Sequence, residues 1–220
     1  MHIGLIGGIG PAATVEYYDR LVAAFRALGR PLELTIVHAE VGTLAANAAA
    51  DARERQAGIY ARHLAQLKGA GADAGTITSL GGHFCYAETE AIAPLPLISA
   101  VAPLDAYCVA QGLGCVGLLG TRQVTTSGVY GQMPRTRTLA PADPQAVHEA
   151  YVASAIAGSC DEETRALFFA AGHEMMARGA QAVVLAGTDL GLAFHGRDPG
   201  FPVVDALQVH VDHLVDLATR

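Results

Sequence analysis

Short apolar runs alternate along the chain with longer amphipathic stretches. Ile3 to Ile6, Leu32 to His38, Ala74 to Thr78 and Leu97 to Ser99 are compact, mostly apolar and bounded by glycine, proline or polar residues. That is the pattern of strands buried on both faces. Between them the spacing predicts helices over Ala12 to Leu28, stopped by Gly29, and Arg53 to Lys68, stopped by Gly69. A short helix over Glu88 to Ala93 ends before Pro94, and Ala45 to Ala50 reads either as a helix start or as a mobile loop. A second series then begins: helix Ala102 to Gln111, strand Cys115 to Gly120, short strand Arg137 to Ala140, and a loop over Pro141 to Pro144. Helices Ala146 to Ile156 and Glu162 to Arg178, strand Val183 to Ala186, a strand at Pro202 to Asp205 and helix Ala206 to Thr219 complete it.

The second series repeats the first. Gly4 matches Gly117, Gly7 matches Gly120 and Tyr17 matches Tyr130, all at one offset. Gly71-Ala72-Asp73-Ala74 and Gly179-Ala180-Gln181-Ala182 each lead into an apolar run, and counted from those glycines Ser79 and Gly187 fall at the same step. Pro202-Val203-Val204-Asp205 mirrors Pro96-Leu97-Ile98-Ser99. Strands alternating with helices imply βαβ units, hence an α/β fold with parallel sheets covered on both faces. The expected architecture is two similar α/β domains related by pseudo-twofold symmetry, residues 1–98 with 206–220 and residues 99–205. Their strand-end loops are expected to face one cleft, since ligands of parallel sheets bind beyond the carboxyl ends of the strands.

Composition narrows the partners. Charged residues are 16% of the chain and the net charge is -7, with no basic run, so nucleic acid is not expected. No apolar segment is long enough for a membrane span, and no basic leader precedes Ile3, so a cytoplasmic protein is expected. The sparse charge hints at apolar surface hidden in a homodimer. Cys85, Cys108, Cys115 and Cys160 show no CxxC pairing and read as reduced thiols. His210 and His213 stand i, i+3 on the last helix among aliphatic residues, a packing arrangement rather than a metal site, and no metal is expected.

Several residues sit where chemistry is natural. Gly7-Gly8-Ile9-Gly10-Pro11 joins a strand to a helix, so the backbone N–H groups of Gly8, Ile9 and Gly10 are placed to receive an anion. The loop is neither GxGxxG with a following acid nor a P-loop, so no nucleotide cofactor is expected. His38 and Glu40 end the second strand; imidazole or carboxylate is a competent general base. Ser79 and His83 form a hydroxyl and an imidazole one turn apart. His83 reads equally as a helix-start histidine bonded to backbone. Arg53 and Arg55 read as solvated charges or as partners for a carboxylate, and His195 as an exposed residue or part of a lid.

The opening Ile3-Gly4-Leu5-Ile6-Gly7-Gly8-Ile9-Gly10-Pro11-Ala12-Ala13-Thr14 resembles the start of the aspartate/glutamate racemase superfamily. So do Gly117-Leu118-Leu119-Gly120-Thr121, Ser127-Gly128-Val129-Tyr130 and Pro202-Val203-Val204-Asp205. The resemblance spans the whole chain. It implies a cofactor-independent site that binds a small carboxylate, with one cysteine from each domain: one removes the proton from Cα and the other returns it. The first family motif, Cys-Asn-Thr-Ala-His, corresponds here to Ser79-Leu80-Gly81-Gly82-His83; the second, Gly-Cys-Thr-Glu, to Ala186-Gly187-Thr188-Asp189. Both thiols are absent at those steps. A serine hydroxyl is scarcely ionised near neutral pH, whereas a thiol near pKa ~8.5 can be tuned down.

On this resemblance the catalytic candidates are Ser79, His83, His38, Glu40 and the vacant step Gly187, where the missing side chain leaves room for a larger substituent. Gly8, Ile9, Gly10, Gly81, Thr121, Thr126, Thr188 and Asp189 are the substrate-binding candidates. Near Thr121 the family carries a further hydroxyl; Val124 takes its place and Thr125 or Thr126 is displaced from it. Cys85, six residues past Ser79, is either buried in a helix or close enough to reach the cleft. Three readings follow: an isomerase at the α carbon of a small amino acid or dicarboxylate using a non-cysteine base, a one-sided lyase or decarboxylase, and an inactive carboxylate-binding or regulatory protein.

Overall fold

The computed structural model describes residues 1–220. The chain divides into two compact units, Met1–Ala100 with His210–Arg220 and Val101–Val209. The first contains β1 (Ile3–Gly7), α1 (Pro11–Ala27), β2 (Leu34–His38), α2 (Val41–Ala49), α3 (Arg53–Gly69) and β3 (Ala74–Ile77). A 3-10 turn at Gly81–Cys85 then runs into α4 (Tyr86–Ile92), and β4 (Leu97–Ile98) follows. The second holds α5 (Val101–Ala110), β5 (Cys115–Leu119), α6 (Arg122–Thr126), β6 (Arg137–Leu139), α7 (Pro144–Ala157) and α8 (Glu162–Ala177). It continues through β7 (Ala182–Leu185), a 3-10 turn at Thr188–Leu190, α9 (Gly191–Phe194), β8 (Val203–Asp205) and α10 (Ala206–Thr219), whose later part counts with the first unit.

Each unit has one four-stranded sheet, ordered β2-β1-β3-β4 and β6-β5-β7-β8. Every pairing is parallel. The α/β class and the doubled parallel sheet are as the sequence pattern predicts. No helix is long and apolar enough to cross a membrane.

The repeated strand glycines have a packing reason. A Cβ on Gly4 of β1 would stand 2.9 Å from Leu67 Cδ1 of α3, and one on Gly117 of β5 would stand 2.8 Å from Met175 Sδ of α8. In both units the missing side chain lets the covering helix press on the central strand. Leu64 and Leu67 of α3 are fully buried there, each contributing roughly 1.5–3 kcal/mol by burial. Phe168 and Met175 of α8 have the same place in the second core, with Leu119, Val183 and Leu185.

Two local expectations change. The ambiguous Ala45 to Ala50 stretch is the end of α2, which starts earlier because Glu40 caps it. Buried Asn47 then donates to Gln56 Oε1 of α3 at 2.8 Å, so the segment is pinned rather than mobile. The unanticipated α6 is a single short helix, too brief to show periodicity.

His210 of α10 anchors that helix in the first unit. Thr76 Oγ1 donates to the Ile98 carbonyl at 2.8 Å, so it accepts from His210 Nε2 at 3.3 Å, and Tyr17 O–H donates to Nδ1 at 2.7 Å. That bonding assigns a neutral imidazole. Burial holds its pKa well below the ordinary 6.5. His83, also fully buried, is depressed from 6.5 to about 4 by the same cause, against a smaller opposing effect of its bond to Ser79. Unfolded, both rings take up a proton below about pH 6.5, and folded they resist it. Stability is therefore full above pH 6.5 and falls as pH drops toward 4, by up to about 1.4 kcal/mol per pH unit per histidine. Urea midpoints measured at pH 7.5 and 5.5 are expected to show this loss, and His210→Gln to reduce its pH dependence.

Candidate functional site

In each unit the chain leaves the first strand toward one side and later returns on the other, so the sheet order reverses between β1 and β3 and between β5 and β7. Loops beyond such reversals are the usual ligand sites of parallel sheets. The motif residues singled out by sequence sit on these strand ends.

In the first unit the β1 loop is held by hydroxyl groups. Gly8 adopts φ 83° and Gly10 φ 96°, left-handed conformations that favour glycine. A Cβ on Gly8 would also lie 2.4 Å from the Ala39 carbonyl oxygen and 2.5 Å from His38 Nδ1. The Gly8 N–H donates to Thr14 Oγ1 at 2.9 Å. Thr14 Oγ1 lies 3.3 Å from Thr78 Oγ1, which itself donates to the Ile6 carbonyl at 3.0 Å. The Gly8 amide is thus committed inside the loop rather than open to an anion, a correction to the expected role. Ile9 is buried and Gly10 is the residue that turns the chain into α1.

His38 ends β2 beside Gly7 with its ring exposed at the edge of the glycine loop. Glu40 has a structural task. Its carboxylate accepts from the N–H of Gly42 at 2.7 Å and of Thr43 at 2.6 Å, capping α2. Those two bonds, the Gly42 one first, hold its pKa below the ordinary carboxylate value. A carboxylate so held is a poorer base than the sequence suggests.

Beyond β3, half-buried Ser79 accepts the Gly82 N–H on its hydroxyl oxygen at 3.2 Å. Gly81 opens the 3-10 turn that follows. His83 does not orient the serine hydroxyl. Its Nε2 accepts the Ala100 N–H at 3.0 Å, which leaves Nδ1–H to donate to the Ser79 carbonyl at 2.7 Å. The ring stacks on Tyr86, with centroids 5.6 Å apart. Buried, neutral and bonded at both nitrogens, His83 is a backbone clamp and not a base, the blander of the two sequence readings. Cys85 is fully buried, with Thr89 Oγ1 3.7 Å from its sulfur, and burial pushes its thiol up to about 11. Arg53 pairs with Asp51 at 2.8 Å, while Arg55 is exposed.

In the second unit Thr121 immediately precedes α6 and makes no side-chain cap. The Thr126 hydroxyl donates to the Arg122 carbonyl at 2.8 Å and Thr125 to the same oxygen at 3.1 Å. The expected donor role of Thr126 toward a carboxylate is therefore replaced by an intrahelical bond. Immediately after, Val129 and Tyr130 have φ 53° and 59°, flanked by Gly128 and Gly131, also at positive φ. A β-branched residue in that region costs on the order of 1–3 kcal/mol, and such strain concentrates at functional loops.

The β7 tip departs most from expectation. Gly187 is extended, at φ -170°, so its backbone accepts any residue. Its side-chain space, however, is filled. A Cβ there would lie 2.6 Å from Cε2 and 2.7 Å from the phenol oxygen of Tyr151 on α7. The Tyr151 hydroxyl donates to Asp189 Oδ2 at 2.8 Å. No room for a larger substituent exists at Gly187. Thr188 and Asp189 form the following turn, both half-buried. His195 is exposed, its ring beside Gly191. Sequence reasoning missed Tyr151 because it stands in no motif; its one mark is a lone large aromatic in an alanine-rich helix.

Known proteins share this architecture. The family model described as Asp/Glu/Hydantoin racemase matches residues 6–214. A candidate Asp/Glu racemase from Yersinia pestis superposes with TM-score 0.88 at 23% identity, over 100% of both chains. An aspartate racemase homologue from Pyrococcus horikoshii OT3 gives TM-score 0.83 at 20% identity, over 100% of this chain and 99% of its own. Glutamate racemase from Francisella tularensis, solved with D-glutamate, gives TM-score 0.71 at 14% identity, over 99% of this chain and 81% of its own. At these identities the structural likeness speaks for the fold alone. A search of curated protein sequences gave no significant match.

The Gly8 geometry predicts that Gly8→Ala, which adds a clash to a left-handed backbone, destabilises the first unit by roughly 1–3 kcal/mol. Urea denaturation of the two proteins side by side measures it.

Proposed function

The chain belongs to the Asp/Glu/hydantoin racemase family, and from that premise we propose that it is a cofactor-independent enzyme acting at the carbon alpha to a carboxylate of a small amino acid or dicarboxylate, by chemistry other than a pair of thiols. The observation that carries the second half is the occupancy of the two strand tips. Ser79 and Gly187 stand there, and the cysteines lie elsewhere: Cys85 and Cys108 buried with thiols pushed up to about 11 by burial, Cys115 buried in β5, and Cys160 between α7 and α8. A thiol so shifted is almost wholly protonated at neutral pH and is neither nucleophile nor base.

Of the base candidates, Glu40 and His83 are committed to caps and clamps, which leaves His38. Its imidazole is exposed at a strand end beside the glycine loop, and an imidazole is a side chain that can accept and release a proton. Ser79 contributes its hydroxyl as a donor to the substrate, since its oxygen already accepts from Gly82. The protein works as a homodimer in the cytoplasm on this reading. Apolar Val15, Tyr18, Ile36 and Val41, exposed on α1, edge strand β2 and α2, support the first point, and the four unpaired cysteines support the second.

The structural use of Glu40 and His83 also favours a second reading, a carboxylate-binding protein that has lost the reaction. Incubation with D- and L-aspartate and D- and L-glutamate in D2O separates the two. The enzyme reading expects deuterium at Cα of at least one of them, at a rate unchanged in Cys85→Ala. It also expects His38→Asn to lower that rate by about 100-fold or more. Binding by calorimetry without exchange assigns the protein to the second reading.

A further inference from the structure

The filled space at Gly187 has a chemical content. The group that fills it is a phenol, and the phenol oxygen, not only the ring, lies within the reach of a short side chain at that residue. It is held there. The O–H donates to the Asp189 carboxylate, and a neutral-to-charged hydrogen bond of this kind contributes about 1.5–3 kcal/mol. Helix α7 brings Tyr151 to the turn that begins at Thr188, and the ring packs against the core cluster that includes Leu190. The side chain is nonetheless only partly covered, as are Gly187, Thr188 and Asp189 around it. The Asp189 bond thus fixes the phenol oxygen in the space that a side chain of residue 187 would take.

We propose that Tyr151 is a proton donor, its phenol standing in the space that a side chain of residue 187 would otherwise take. The inference rests on the reading that the protein works at a carbon alpha to a carboxylate. In the step itself the phenol O–H bond breaks and the proton goes to the α carbon. The electron pair of the carbanion becomes the new C–H bond, leaving a phenolate that regains a proton from water. Burial, then the Asp189 charge and its hydrogen bond, raise the Tyr151 pKa well above that of free tyrosine, so the group is a neutral acid throughout the working range. The Thr188 hydroxyl and the Asp189 backbone N–H act in the opposite sense, stabilising the phenolate as it forms. Tyr151 is therefore a donor and not the group that first removes a proton.

The test uses the full chain with D- and L-aspartate and D- and L-glutamate in D2O, Cα deuteration followed by NMR and binding by calorimetry. Tyr151→Phe keeps the ring and removes the oxygen. It is expected to lower exchange by about 100-fold or more with affinity unchanged, a split that mere packing does not produce. Tyr151→Ala is expected to be as slow, and adding Gly187→Cys to it, now that the ring is gone, to restore exchange in a form that alkylation abolishes. Wild-type exchange rates in Tyr151→Phe overturn the proposal while leaving the functional reading intact. So does loss of binding in step with loss of exchange, or no gain on adding the thiol. A wild-type protein that exchanges none of the four overturns the functional reading and the proposal with it.

Discussion

Each sheet depends on one strand being paired on both sides by neighbours that the chain reaches in opposite directions. β1 lies between β2 and β3, and β5 between β6 and β7. All strands of a sheet are parallel, so their carboxyl ends share one edge, and the reversal keeps the two central loops from covering each other. The burial of the central strands, and the strand glycines that let α3 and α8 lie close, make those ends rigid. A rigid edge with diverging loops is what allows a few short side chains to be aimed at a small molecule.

Competition between capping and chemistry decides which groups remain available. Strand-end turns leave backbone N–H and C=O groups without sheet partners, and a buried unsatisfied one costs about 1–3 kcal/mol. Here Glu40, His83, Thr14 and Thr126 answer that demand, each with a bond to backbone of its own unit. An imidazole that clamps Ser79 and Ala100 gives up both nitrogens and, being buried, its charge as well. His38, at the end of β2, stays exposed, and Tyr151 of α7 is half-buried with its hydroxyl on Asp189.

Much of the fold was legible in the chain because it rests on periodicity and repetition. Alternating strand-like and helix-like stretches marked the βαβ units, the matched glycines marked the two halves, and α10 falls on the residues predicted for it. The start of α2 was hidden because Glu40 sets it through a cap rather than through apolar spacing. The site was legible only in outline. Strand-tip motifs located Ser79 and Gly187, since motif position is a local property. The roles of His83 and Gly187 depend on partners 17 and more residues away: Ala100 for the first, and for the second a tyrosine 38 residues before Asp189. No spacing within a motif carries that information, so an empty step in the sequence turned out to be an occupied one in space.

The absence of sulfur from the strand tips of both units bears on how each meets an oxidant. A thiolate poised for proton transfer is also the group that peroxide attacks first, climbing through sulfenic to sulfinic acid and silencing the enzyme. Serine and glycine at those steps have no such ladder, and neither has a phenol under the same conditions. The buried Cys85, protonated and walled in, presents almost no thiolate to an oxidant. With serine and glycine at these steps, neither sheet edge of this chain carries a thiol for an oxidant to consume.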